Sequence, residues 1–280
     1  MVNRVGVIGG GTLGSQISWI IALSNIGVVV IDVDDGILGK CKYMHEEYAK
    51  LFNEKGIDTE KALNNICYSS NLEDVKNCDL IIESIIEDLE IKKDLFKKLS
   101  VIVDKKTIIA TNTSTLLPSE LKDSVKNNER FLALHFANPV WEAGFAEIMG
   151  HEETAEEVIN EIREFVKEIN LEPVILEKQQ RGYLINALLI PWLSSAQKLY
   201  FDGVADYKEI DKIWKLATKS SLGPFEIMDI IGLKTIYNVM ISDAKRLKDE
   251  RLLQRAEKLK KDFLDKGLSG RQSGKGFYEY

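Results

Sequence analysis

Apolar positions along the 280-residue chain fall into two textures. Through the first 180 residues, short β-branched runs alternate with stretches of helical spacing. Val2 to Ile8 reads as a strand, closed by Gly9, Gly10 and Gly11. Leu13, Ile17, Ile20, Ile21 and Leu23 then recur at helical intervals over Thr12 to Ser24. Gly27 is the expected end of that helix, and Val28 to Ile31 has the unbroken apolar character of a parallel strand buried on both faces. The pattern goes on to predict a polar-faced helix over Gly36 to Glu54, a strand at Asp79 to Glu83 and an amphipathic helix over Leu89 to Leu99. Strands follow at Thr107 to Thr111, Phe131 to Phe136 and Phe145 to Met149, then a charged helix over Glu152 to Ile169 and a last strand at Pro173 to Leu176. Such alternation predicts an α/β domain over residues 1–180 with a doubly wound, mostly parallel sheet. After Arg181 only helical spacing remains. Leu184, Ile185, Leu188, Leu189, Trp192, Leu193, Ala196 and Leu199 head an all-helical domain over 181–280, with Pro191 expected to kink its first helix.

Gly9-Gly10-Gly11-Thr12-Leu13-Gly14 fits G-x-G-x-x-G, follows a strand and opens a helix. Asp32 ends the second strand, 18 residues after Gly14, near the spacing of a dinucleotide fingerprint. Gly9 permits the tight turn, Gly11 lets backbone approach a pyrophosphate, and Gly14 lets the helix pack on the sheet. The N–H groups at the start of the helix, through Thr12 and Leu13, face the phosphate charge. Asp32 would accept hydrogen bonds from the adenosine ribose and repel a 2′-phosphate. No basic residue appears between it and Lys40, so the reading is NAD over NADP on a Rossmann-type sheet.

Composition excludes several classes. Lys and Arg number 37 and Asp and Glu 44, a net charge of −7 with no dense basic run, which argues against nucleic acid as a partner. Three cysteines (Cys41, Cys67, Cys78) form neither metal-ligand spacing nor an even disulfide set, so no metal is expected. No apolar run reaches about 18 residues and no charged leader precedes the first strand, pointing to a cytoplasmic protein without a membrane span. Of three histidines, His45 and His151 sit among charged residues and read as surface. His135 ends the Phe131–Leu134 run, at the carboxyl end of a strand, where α/β proteins bind ligands. An imidazole is a side chain suited to exchanging the proton that accompanies hydride transfer. On residues alone, that role and a packed core histidine both stand open.

Several segments together resemble the short-chain 3-hydroxyacyl-CoA dehydrogenase family, including bacterial 3-hydroxybutyryl-CoA dehydrogenases. They are the Gly-rich fingerprint, Glu83 to Lys92, Asn112 to Leu116, His135 to Pro139, Gly182 to Asn186, Gly223 to Glu226 and Gly274 to Tyr278, spread in family order over nearly the whole chain. The resemblance implies NAD-dependent oxidation of a short-chain 3-hydroxyacyl-CoA, or the reverse, in fatty acid metabolism. It implies His135 as the base that takes the C3 hydroxyl proton and Glu147 as the carboxylate on the other ring nitrogen. Ser114 and Asn186 are implied to hold the substrate oxygen, and Glu87, Lys92, Asn112 and Asn138 to lie around NAD. Lys55 matches a lysine for the CoA phosphate. Plainer roles stand beside these: Glu87 as a helix cap, Lys92 as a solvated partner of Asp88, Ser114 as a turn hydroxyl. Asn186 lies roughly 110° from the centre of the Leu184–Leu199 stripe at about 100° per residue, so it faces a different neighbour, or is a buried amide held by backbone.

Departures from the family pattern centre on substrate. Ala137 stands for a second Phe, and Trp141 to Ala146 replaces a Pro-Val-Met-rich stretch. Tyr48 replaces a serine, Ala187 an arginine and Gln272 a lysine. Trp141, set beside the reacting end, argues for a four-carbon acyl chain before an eight-carbon one. Two further readings remain: a dehydrogenase of a free hydroxy acid, of the carnitine or gulonate kind, and a dinucleotide-binding protein without turnover. The apolar surface of Leu184–Leu199, with Ile227, Ile230, Ile231, Leu233, Ile236, Tyr237 and Met240, leads to the expectation of a homodimer through the helical domain.

Overall fold

The valine and isoleucine runs become strands of one eight-stranded sheet. In the computed structural model, which describes residues 2–280, the chain divides after Leu184 into two compact units. The first opens with β1 (Arg4–Ile8), α1 (Thr12–Leu23), β2 (Gly27–Ile31), α2 (Asp35–Glu54), α3 (Glu60–Asn64) and β3 (Ile66–Ser69). It continues through β4 (Leu80–Glu83), α4 (Leu89–Ile102), β5 (Ile108–Thr111), α5 (Pro118–Leu121), β6 (Phe131–Phe136), α6 (Val140–Ala143), β7 (Phe145–Met149), α7 (Glu156–Glu168) and β8 (Glu172–Leu176).

Strand order is β3-β2-β1-β4-β5-β6-β7-β8. Every neighbouring pair is parallel except β6–β7. The α/β architecture read from the sequence is therefore the observed one. β3 was not foreseen: Ile66-Cys67-Tyr68-Ser69 is an edge strand with only Ile66 buried, so it lacks an apolar run. Asn25, at φ 61°, turns the chain out of α1, and Gly27 instead begins β2.

Two layers of core flank the sheet. One holds Val5, Val7, Ile17, Trp19, Ile21, Val28 and Val30, the other Ile81, Phe96, Leu99, Ile109 and Phe131.

His45 and His151 are not surface residues. His45 is fully buried, because α2 places Leu38, Cys41, His45, Tyr48 and Phe52 on its inner face. Its Nε2 meets the Ser15 carbonyl oxygen at 2.8 Å and Ser18 Oγ at 3.0 Å, and its Nδ1 meets Tyr68 Oη at 2.6 Å. Burial pushes its pKa down to about 4, so the ring is neutral. His151 is buried in the turn before α7, with Nε2 on the Asn128 carbonyl at 3.0 Å.

The second unit is helical. α8 (Tyr183–Phe201) enters it and runs unbroken through Pro191. α9 (Tyr207–Thr218), α10 (Pro224–Ile231), α11 (Leu233–Leu247) and α12 (Glu250–Asp262) follow. Leu193, Phe225, Met228, Leu233, Ile236, Met240, Leu259 and Phe277 form its core. The Gly274–Tyr278 segment docks on buried Asp229, whose oxygens accept the Phe277 and Tyr278 N–H groups at 2.9 Å. A Cβ on Gly276 would fall 2.0 Å from Asp229 Oδ1, so that close approach requires glycine.

Candidate active site

The crevice at the carboxyl ends of β1, β4 and β5 lies where the strand order reverses, the usual ligand position of such sheets. A pocket of about 320 Å³ sits there, lined by Leu13, Ser84, Ile85, Glu87, Asn112, Ser114 and Thr115. The fingerprint glycines shape its floor. Gly9 has φ 104°, and a Cβ on it would meet the Ser84 carbonyl oxygen at 2.5 Å. A Cβ on Gly14 would lie 1.8 Å from the Gly9 oxygen, so α1 can pack on β1 only with glycine there. Nothing stands within 4 Å of a Cβ placed on Gly11, which leaves open space over the start of α1. Gly11 caps α1 with no side-chain bond and no acidic residue in the first turn, so the helix presents free N–H groups to an anion. Asp32 accepts Gly10 N–H at 2.9 Å and Asp34 N–H at 3.1 Å, which fixes its half-exposed carboxylate beside the glycine turn. This cradle fits a dinucleotide pyrophosphate and ribose.

The single antiparallel pairing in the sheet makes the next element. His135 on β6 and Glu147 on β7 are register partners, so their side chains share one face. Nδ1 of His135 lies 3.0 Å from Glu147 Oε2, and both residues are buried. A carboxylate accepts only, so Nδ1 carries the proton and Nε2 faces Ser114 Oγ, 3.3 Å away. Three of the four residues expected to carry catalysis are thus in one line. Asn186, the fourth, is half-buried on α8 in the second unit.

Ser114 sits on a loop held by Glu87. One carboxylate oxygen, Oε1, accepts Ser114 N–H at 3.0 Å, Thr115 N–H at 2.9 Å, Thr115 Oγ at 2.8 Å and the Thr113 hydroxyl. Burial pushes this carboxyl up, but the Thr113 and Thr115 bonds and the Lys92 ammonium outweigh it and hold it below the glutamate range. The plainer roles for Glu87 and Lys92 fail here. Asp88, not Glu87, caps α4. Lys92 is 1% exposed, with its ammonium 2.5 Å from Glu83 Oε1 and 3.3 Å from Glu87 Oε2. Glu83, buried, also accepts Thr111 Oγ at 2.6 Å and Ile85 N–H at 2.8 Å. Lys92 therefore acts behind Glu87, from inside the protein. Asn112 ties strands together through Phe136 N–H at 2.9 Å, and Asn138 Oδ1 accepts Gln16 Nε2 at 2.8 Å.

Sequence reasoning missed Tyr183, Glu83 and Gln16. The ring of Tyr183 stacks on His135, and its hydroxyl donates to the Thr113 carbonyl at 2.7 Å. Leu184 N–H donates to Glu147 Oε1 at 2.8 Å. A signal for Tyr183 was present in its place after Gly182, inside a matched motif.

The side chain of Trp141, expected to limit the acyl chain, is taken up by packing within the domain. Its ring packs edge-on against Tyr48 at 4.9 Å and Phe52 at 5.6 Å, so its bulk is spent on the inner face of α2. Lys55 is exposed just past the end of α2, its ammonium 5.6 Å from the Phe52 ring centre.

Comparison with known proteins gives concordant matches. Residues 4–180 match the family model described as 3-hydroxyacyl-CoA dehydrogenase, NAD binding domain, and residues 182–280 match that family's C-terminal domain. A probable 3-hydroxybutyryl-CoA dehydrogenase of Deinococcus radiodurans is 33% identical over 99% of this chain and 100% of its own. Among solved structures, a diketoreductase described as acting on dicarbonyl compounds is 40% identical with a TM-score of 0.95, over 100% of this chain and 99% of that one. The (S)-3-hydroxybutyryl-CoA dehydrogenase of Ralstonia eutropha is 28% identical with a TM-score of 0.87, at the same coverage.

Proposed function

The chain belongs to the 3-hydroxyacyl-CoA dehydrogenase family of NAD-dependent oxidoreductases, and from that premise we propose that it interconverts a short-chain 3-hydroxyacyl-CoA and its 3-oxoacyl-CoA, with His135 and Glu147 as the acid–base pair. The observation that carries this reading is the Ser114–His135–Glu147 line beside the dinucleotide crevice.

Bound NAD supplies the hydride acceptor, or donor in reverse. Gly11 and the first turn of α1 would hold its pyrophosphate, on the close turn that Gly9 and Gly14 permit, and Asp32 would hold the adenosine ribose. His135 Nε2 takes the C3 hydroxyl proton as hydride leaves C3, and returns it in the reductive direction. Glu147 keeps Nδ1 protonated and offsets the positive charge that the ring then carries. Ser114 Oγ, kept in place by Glu87, donates to the oxygen as it becomes a carbonyl. Asn186 joins it on the strength of the motif match, and Lys55 serves the CoA phosphate on the same ground.

A second reading, reduction of a dicarbonyl compound without CoA, is favoured by the diketoreductase likeness and by the Tyr48–Trp141 packing that replaces the family stretch. One assay decides between them: NADH oxidation with acetoacetyl-CoA, free acetoacetate and a 3,5-dioxo ester. The thioester should win by about 100-fold in kcat/KM, because the CoA moiety adds remote binding energy. Equal rates with the free acid or the ester refute the CoA assignment.

A second copy of the chain is the proposed partner. Leu233, Ile236 and Met240, read earlier as available to it, are buried within one chain. Leu184, Leu188, Leu199 and Ile230 of that reading are exposed, as are Ile213 and Leu216 outside it.

A further inference from the structure

We propose that Tyr183 is a positioning residue that fixes the His135 imidazole against the Ser114 loop and favours its protonated form through a stacked π face. The inference rests on the acid–base role given to His135 above and deepens it. Tyr183 is fully buried, and its ring lies 4.2 Å from the imidazole centre at an interplanar angle of 10°. Both ring nitrogens of His135 are engaged, by Glu147 from β7 and Ser114 from the loop after β5. Tyr183 covers one face, which removes the remaining freedom of the ring to tilt.

The hydroxyl adds a second link. It donates to the carbonyl of Thr113, the residue before Ser114, whose own hydroxyl donates to Glu87. Burial, with the charges of Glu87, Glu147 and Glu83, pushes the phenol pKa up, so the hydroxyl stays a donor. Leu184, next in the chain, binds Glu147. Two consecutive residues thus touch the Ser114 loop, the imidazole and its carboxylate.

The backbone shows that this placement is imposed. Tyr183 has φ 57° directly after Gly182 at φ 76°, a left-handed conformation that a bulky side chain rarely adopts. Simple space filling does not require an aromatic ring parallel to the imidazole. A π face parallel to a ring that becomes cationic stabilises the charged form, most strongly where water is excluded.

The test compares Tyr183→Phe, which keeps the face and loses the hydroxyl, with Tyr183→Leu, which loses both. Ring-labelled histidine is titrated by NMR in the intact chain, where three histidines make assignment direct. In Tyr183→Leu the His135 titration midpoint should fall by about 0.5–1 pH unit, while Tyr183→Phe leaves it in place. Reductive kcat should fall about 3–10-fold in the Phe variant, the loss of one hydrogen bond, and about 100-fold in the Leu variant. NADH affinity should hold in both. Tyr183→Met repeats the measurement if the Leu variant unfolds. An unmoved midpoint in the ring-less variants, or an equal shift in the Phe variant, overturns the proposal. A wild-type protein inactive on every 3-oxo substrate would instead refute the proposed function, and the titration would still decide the role of Tyr183.

Discussion

Replacing Glu147 by Gln keeps the shape of the buried pair and removes its charge. The carboxylate oxygen lies 3.0 Å from Nδ1 of His135, in a pocket where both residues are shielded from water. With charge centres about 4 Å apart and an effective dielectric near 20, the carboxylate stabilises the imidazolium by about 4 kcal/mol. Neutral imidazole gains little of this, so the difference falls on the protonation step. At 1.36 kcal/mol per decade it amounts to about a 1,000-fold loss in kcat. NAD reduction with 3-hydroxybutyryl-CoA at saturating cofactor measures it, alongside fluorescence titration of NADH. The expected result is a kcat lowered by two to three decades with cofactor affinity unchanged. A Glu147→Gln enzyme within about fivefold of wild-type kcat would show that the charge does not serve the reaction.

Asp32→Ser should raise the NADPH-to-NADH ratio of kcat/KM at least about 10-fold, since it removes repulsion of a 2′-phosphate, and steady-state kinetics with both cofactors check it. Lys92→Met should lower stability by about 3–5 kcal/mol, because it strands the buried Glu83 carboxylate; thermal melts should show most of that loss recovered by adding Glu83→Gln. His45 has a folded pKa of about 4 against 6.5 for the free group. The unfolded chain therefore binds the extra proton between those values, and stability should fall by about 1 kcal/mol per pH unit as pH drops from 6.5 to 4. Urea melts should show that slope flattened in His45→Gln. Light scattering at micromolar concentration should report a dimer, and Leu188→Glu, at a site 73% exposed in one chain, should shift it toward monomer.

What the sequence disclosed follows from how each element is buried. Strands covered on both faces, such as Ile108–Thr111 and Phe131–Phe136, announce themselves as unbroken apolar runs. Ile66–Ser69, at the sheet edge, carries no such run and stayed hidden. His45 was legible and overlooked. It shares the 38, 41, 45, 48, 52 spacing of the buried face of α2, but its lysine and glutamate neighbours masked it. His135, Glu147 and Ser114 stand out by residue type and motif, while their alignment depends on a strand reversal that spacing alone does not reveal. Tyr183 shows the limit most clearly. Its importance comes from a left-handed turn and a face-to-face contact, and neither leaves a periodic trace.

The reversal between β6 and β7 has a consequence for how substrate range can change. His135 and Glu147 are anchored in neighbouring strands by backbone bonds, directly opposite one another near the connection. The segment between them takes its support elsewhere: Val140 N–H binds Gln16 Oε1 at 3.0 Å, and Trp141 packs on α2. The connection therefore works as an exchangeable insert in a fixed socket. A relative can rewrite residues 139–144, or an engineer can graft a new stretch there, and the two strands still return to facing positions in the sheet. Selection on what the site accepts can act on one part of the chain while the buried His135–Glu147 pair keeps its separation.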